Sequence, residues 1–237
     1  ITQTLVFYGA GNYAAASSTY DSTVFINTPL TADAQGNIYF GYSVTGPNPI
    51  NLTSGVVRVT PSGVVTTADI ATLMSSAFAR PVLNAAPALS PDQSTLYVPI
   101  GTSASLNSTP TPHLVAFDST TLAKKGSVML MDPASGQNVI ASENGTSSPM
   151  VGPDGDVYYG VLGSAGGAHS QTGWLLHFDA TLATTRIPGA FGWDNTPSLV
   201  PVSMVPSYTG GAAYLLMTKY NSYVDGQHRI AILDPTH

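Results

Sequence analysis

The chain holds a single glutamate, Glu143, which stands beside Asn144 just ahead of a proline-anchored apolar segment. Trp193-Asp194-Asn195 occupies the same place ahead of the next such segment. Two carboxylates beside an indole suit sugar recognition. The sugar ring stacks on the Trp face while the acids take hydroxyls, or serve as acid and base on a glycosidic bond. The plainer alternative is that Trp193 packs between structural units and Asp194 caps a turn.

His113, His169 and His228 form a second set, each at or near the start of an apolar run, with Lys219, Tyr220 and Tyr223 close by in the last one. Their equivalent places on separate repeats hold them apart, so no metal site is expected. His177 lies inside the apolar run Trp174–Phe178 and reads as a packed residue. Asp154-Gly155-Asp156 has the look of a calcium-loop fragment, but it lacks the further oxygen ligands and the closing Glu. It reads as a hairpin turn. No Gly-x-Ser-x-Gly is present, and Gly9-Ala10-Gly11-Asn12 is half of a dinucleotide loop with no helix predicted after it. The ligand-binding candidates are therefore Glu143, Asn144, Trp193, Asp194, Asn195, His113 and Tyr220. Only Glu143 and Asp194 are candidates for catalysis, and no cofactor is expected.

What must position these residues is a unit written four times. Its copies start at Asn27-Thr28-Pro29, Ala85-Ala86-Pro87, Ser147-Ser148-Pro149 and Asn195-Thr196-Pro197. Each reads as a short apolar strand, a polar turn and a longer aromatic or β-branched strand, followed by a hairpin. The units span approximately 27–67, 85–130, 147–187 and 195–235, and the last lacks a fourth strand. A helix is predicted over 70–79, capped by Asp69 and ended by Arg80-Pro81, and residues 10–21 read as a loop. Four-stranded sheets repeating at this interval define an all-β fold, a β-propeller of antiparallel blades with about four blades in this chain.

Composition narrows the function classes. Only 8% of residues are charged, the net charge is −6, and 25 Ser and 27 Thr carry the surface polarity. The few lysines and arginines form no cluster able to neutralise phosphates, which argues against nucleic acid. There is no cysteine, hence no disulfide or thiolate site, and no apolar run long enough to span a membrane. Low charge with abundant Ser, Thr and Gly points to a secreted or periplasmic protein. Sequons at Asn51, Asn107 and Asn144 occur no more often than chance predicts.

Val115-Ala116-Phe117-Asp118-Ser119-Thr120-Thr121-Leu122, Leu176-His177-Phe178-Asp179-Ala180-Thr181-Leu182 and Ala231-Ile232-Leu233-Asp234-Pro235 end the third strands. With Pro149-Met150-Val151-Gly152-Pro153-Asp154-Gly155, they make the chain similar to the repeats of quinoprotein-like (PQQ-like) propellers. Leu122 and Leu182 stand where that family has Gly, and its following Trp is absent. The resemblance implies the propeller fold, and a ring of more than four blades.

A propeller must close or expose sheet edges. Either residues 2–8 supply the missing outer strand of the last blade, or another chain or chain segment completes a larger ring. The turns between first and second and between third and fourth strands are short and regular, and carry Asp33, Asp92, Asp118, Asp154, Asp156, Asp179 and Asp234. The loops of the opposite face are long and irregular, and function is expected there. The expected function is an exported propeller that binds a carbohydrate, peptide or protein without catalysis. The alternatives are a polysaccharide-cleaving lyase or glycosidase and a quinone-dependent dehydrogenase relative.

Overall fold

A computed structural model describes residues 4–102, 111–141, 147–163, 173–186, 188–190, 195–221 and 228–236. Two short helices, α1 (Ala10–Ala15) and α2 (Ser17–Thr23), lead into the first sheet, β1 (Val24–Ile26), β2 (Thr31–Ala32), β3 (Ile38–Val44), β4 (Gly55–Val59) and β5 (Val65–Asp69). One helical turn, α3 (Ile70–Leu73), precedes the second sheet of β6 (Arg80–Pro81), β7 (Ala88–Leu89), β8 (Thr95–Gly101), β9 (His113–Asp118) and β10 (Lys124–Met129). The third sheet is β11 (Met150–Val151), β12 (Val157–Leu162), β13 (Gly173–Phe178) and β14 (Gly189–Ala190). The fourth is β15 (Ser198–Pro201), β16 (Tyr214–Asn221) and β17 (His228–Leu233). All pairings are antiparallel and follow chain order outward from the short first strands, which in the first two sheets come in two pieces.

Alternation along each strand explains how the sheets stack, because successive side chains point to opposite faces. In β8, Leu96, Val98 and Ile100 meet Tyr39 and Val56 of the first sheet. Tyr97 points the other way, to join Leu114 and Ala116 against Val157, Tyr159 and Val161 of the third sheet. Tyr158 and Leu175 then face Tyr214 and Leu216 of the fourth. A second seam runs along the first strands. Asn27 Nδ2 donates to Pro81 O at 2.8 Å, Ala86 N to Ser148 Oγ at 2.9 Å, and Ser148 N to Thr196 Oγ1 at 2.7 Å. Four antiparallel sheets packed face to face, with first strands tied side by side, are the blades of a β-propeller.

The termini of these elements depart from the sequence reading in four places. One of the two sequence readings makes residues 2–8 a ring-closing strand; within the described part of that segment, Thr4–Tyr8 carries no strand. Instead Phe7 packs edge-on to Phe40 and at 4.6 Å from the Tyr42 ring, covering the outer face of the first sheet. Residues 10–23 are helical rather than a loop, as the alanine-rich stretch permits, and Tyr20 stacks on Tyr8 at 4.7 Å. A helix therefore does open within Gly9-Ala10-Gly11-Asn12, starting at Ala10, although it is six residues long with none buried.

Asp69 caps α3 through Thr72 N at 3.1 Å as expected, but the helix stops at Leu73 and Ser75 turns left-handed at φ 52°. There Ser75 N donates to Thr72 O at 3.2 Å and Ser76 N to Ala71 O at 3.0 Å, a close that ends the predicted helix early. Finally, the fourth strand of the third sheet is Gly189–Ala190, beyond the 147–187 expected for that unit, and among the described residues before it Thr185 bridges to Phe178.

Candidate functional site

The turn between β11 and β12 is tight: Gly152 N donates to Asp156 O at 2.8 Å, and Gly155 sits at φ 91°. Asp154 Oδ1 accepts from Asp156 N at 3.1 Å, the turn-capping role read from the sequence. Beyond the turn, the two-residue period puts Asp156 and Tyr158 on the same face of the sheet, toward the fourth sheet. Antiparallel register then sets His177 of β13 opposite Tyr158, and the two rings stack at 4.3 Å.

His177 Nε2 donates to Asp156 Oδ2 at 2.8 Å, and Arg186 Nε lies 3.8 Å from the same oxygen. With Nε2 engaged by the carboxylate, Nδ1 is the remaining polar atom of the ring. His177 is 4% exposed, and its Nδ1 is buried without a partner among the described residues. A carboxylate at Nε2 and a stacked phenol ring hold the imidazole in place.

The hydroxyls of Tyr158 and Tyr214 lie 2.6 Å apart, and Tyr214 Oη is 3.0 Å from each oxygen of Asp154. An ionised carboxylate only accepts, so Tyr214 donates to Asp154 and Tyr158 donates to Tyr214. Burial, and then the bond to Tyr214, pushes the Tyr158 hydroxyl far above the usual tyrosine range. Burial likewise raises Tyr214, with the Asp154 carboxylate adding to it.

Two hollows adjoin this network. One is an open cleft of about 710 Å³ lined by Asp156, His177, Thr185, Arg186 and Thr236. The other is a pocket of about 160 Å³ walled by Leu175, Leu216, Ile232 and Leu233, with Tyr158, His177 and Asp234 also lining it. His177 and Pro235 border both.

The same position recurs in the earlier sheets with different chemistry. Tyr39 donates to Asp33 at 2.9 Å and stands opposite Arg58, whose Nη2 reaches Asn37 at 3.1 Å. Tyr97 donates to Ala180 O at 2.6 Å and stands opposite Ala116, while Lys125 reaches Thr95 at 2.7 Å. Of the three, the third sheet alone places an imidazole there. Sequence reasoning assigned His177 to packing and Asp156 to turn capping; the available signal was their pairing with the Tyr158 position of the repeat.

Of the residues predicted from sequence, Asn195 and His113 have described side chains, and they lie on different units. Asn195 Nδ2 bonds Thr218 Oγ1 and its carbonyl accepts from Ser147 Oγ at 3.0 Å. His113 opens β9 in the second sheet, with Nδ1 2.9 Å from Thr111 O. Tyr220 stands opposite Arg229 in the β16–β17 pair. Glu143, Asn144, Trp193 and Asp194 lie outside the described residues, as do His169 and Tyr223. Among the described residues no group of three His, Asp or Glu is arranged to hold a metal ion, and no helix is long and apolar enough to cross a membrane.

The other turn aspartates cap their own backbone: Asp118 accepts from Thr121 N at 2.8 Å, Asp179 from Thr181 N at 2.9 Å and Asp234 from Thr236 N at 2.8 Å. Leu122 and Leu182, which stand where quinoprotein-like repeats have Gly, adopt left-handed φ of 56° and 61°. Each Leu side chain is buried in the core between sheets, which offsets the backbone strain.

No family model matches the chain, and no curated protein matches it. Among solved structures it is similar to the Dos1 propeller, at 17% identity and a TM-score of 0.46 over 87% of this chain and 43% of that one. The β-propeller domain of the trilobed protease from Pyrococcus furiosus matches at 8% identity and a TM-score of 0.44, over 88% and 56% of the two chains. A gluconolactonase from Xanthomonas campestris matches at 15% identity and a TM-score of 0.40, over 86% and 55%. The chain spans about half the length of these solved structures.

Proposed function

We propose that this chain is an exported β-propeller scaffold that binds a carbohydrate, peptide or protein through its long-loop face, without catalysis. The observation that carries this reading is the 3.0 Å hydrogen bond from Ser147 Oγ to Asn195 O. Asn195 directly follows Trp193-Asp194 in the chain, and Ser147 follows Glu143-Asn144 after two residues. The segments bearing both acids and the indole therefore return to the scaffold at one joint. Irregular segments on a rigid frame are where recognition concentrates. A Trp face beside two carboxylates favours a carbohydrate among the three ligand classes, and the low-charge, Ser- and Thr-rich composition supports export.

A glycan array probed with the wild-type chain and with Trp193→Ala and Glu143→Ala/Asp194→Ala variants tests this. Saturable binding that the substitutions abolish, at unchanged melting temperature, is the expected result; no glycan binding, or binding indifferent to all three positions, overturns it. Glu143 and Asp194 also support a glycosidase or lyase as the second reading. Product release lost in both single variants would favour that reading, and cleavage retained in both would remove it. A quinone-dependent relative rests on the short motifs at Asp118, Asp179 and Asp234 and on Pro149–Gly155. Incubation with quinone and calcium that leaves no bound chromophore would dismiss it.

A further inference from the structure

We infer that the cleft between the turns of the second and third sheets binds a small zwitterion, a free α-amino acid with an apolar side chain. Its carboxylate bonds Lys125 and its ammonium group bonds Asp92. The cleft has a volume of about 460 Å³, within the range of small-molecule sites. Pro91 and Pro153 give it apolar walls, and Asp92, Lys125 and Asp154 are the charged groups that line it.

A break in strand pairing puts Lys125 here. In the β9–β10 pair Lys124 stands opposite Phe117 and Gly126 opposite Ala116, which leaves Lys125 as the extra residue of a bulge. A bulge re-aims a side chain. Lys125 Nζ donates to the buried Thr95 Oγ1 at 2.7 Å and keeps two further donors. Gly126 beside it lets the turn of the third sheet come close, since a Cβ there would meet Thr181 O at 2.9 Å.

Opposite charges line the cleft without pairing. Hydrogen bonds from Ser90 and Ser94 lower the Asp92 carboxyl to about 2, and the Lys125 charge adds to this through space. Yet among the described residues no salt bridge joins Lys125 to Asp92. Asp92 Oδ2 accepts from Ser94 Oγ at 2.8 Å and has room for a second donor. Asp154 is more fully used, by Asp156 N and by Tyr214 Oη at both oxygens. An ammonium with spare donors and a carboxylate with a spare acceptor, near each other but unpaired, are what a zwitterion bridges. A simple anion would meet two carboxylates, and a simple cation would meet the Lys125 ammonium. The cleft shares no residue with the carbohydrate reading, so the two fail separately.

Titration of the ¹⁵N-labelled wild-type chain with L-leucine, N-acetyl-L-leucine and L-leucinamide decides the matter, because each derivative keeps only one of the two charges. L-Leucine should bind saturably and about tenfold tighter than either derivative, the worth of one charge-assisted hydrogen bond. It should shift the amides of Ser94, Gly155 and Thr181, which line the cleft. Lys125→Met keeps an unbranched stem at an exposed position; it should weaken L-leucine about tenfold without weakening L-leucinamide. Asp92→Asn should weaken L-leucine without weakening N-acetyl-L-leucine. No saturable binding of L-leucine, equal affinity for a derivative, amide shifts confined to other parts of the chain, or binding indifferent to both substitutions overturns the inference. The comparison of the three probes stands on the wild-type chain even where a variant fails to fold.

Discussion

Tyr158 and Tyr214 come from different sheets, yet their hydroxyls meet at 2.6 Å and end in the Asp154 carboxylate. The relay makes the two substitutions unequal. Tyr158→Phe removes only the outermost donor and should cost about 1 kcal/mol. Tyr214→Phe strands the Tyr158 hydroxyl and an Asp154 contact together, and should cost roughly 2–3 kcal/mol. The double variant should cost less than the sum, because the stranded hydroxyl is gone as well. Urea unfolding of the four proteins measures this, and strict additivity would mean that the relay does not exist in solution.

Much of the frame was legible in the chain because it rests on local rules. The Pro-anchored units, the aspartate turns and the two-residue alternation of β8 and β12 all follow from residues a few places apart. The His177 network was not legible in that way. Asp156 meets His177 from 21 residues away and Asp154 meets Tyr214 from 60, and each contact depends on register and sheet stacking. Read alone, His177 is one polar letter in an apolar strand. The helices at residues 10–23 were missed because small polar residues suit turns as well as helices. Gly189–Ala190 was missed as a strand because neither residue carries β propensity.

Acid should act through the turn aspartates. Hydrogen bonds from Ser90 and Ser94 lower the Asp92 carboxyl to about 2. Burial alone would raise Asp179, but bonds from Thr181, Thr184 and Ala183 N outweigh it and bring that carboxyl to about 2 as well. A carboxylate depressed in the folded state stabilises above the unfolded value near 4, and that contribution is lost as pH falls through 2. Melting temperature should therefore be flat from pH 7 to 5 and drop between about pH 4 and 2. Asp179→Asn should shallow the drop, and an unchanged profile in that variant would exclude Asp179 as a contributor.

Leu122 and Leu182 set a backbone preference against a packing preference. A left-handed φ costs a non-glycine residue about 1–2 kcal/mol, which Gly would recover. Losing a buried leucine side chain costs about 2–5 kcal/mol. Packing wins this comparison, so Leu182→Gly should destabilise by a net of roughly 1–3 kcal/mol despite its relaxed backbone. Leu182→Ala loses the side chain and keeps the strain, and should be the worse of the two. Denaturant midpoints for the pair test this, and a more stable Gly variant would show that strain dominates at this turn.

Phe7 decides what covers the outer face of the first sheet. Its ring lies 5.6 Å from Phe40 and 4.6 Å from Tyr42, over a face that also includes Val57, Val24 and Val44. A fourth sheet closing directly onto this face would have to displace Phe7 first. Phe7→Ala should therefore cost about 1–3 kcal/mol, less than a fully buried phenylalanine because the ring is only half-buried. It should also speed amide exchange in β3 and β4 before it affects β16, since the ring packs on the first sheet. Protection lost equally in the first and fourth sheets would instead mean that the two ends of the stack are coupled, as a closed ring requires.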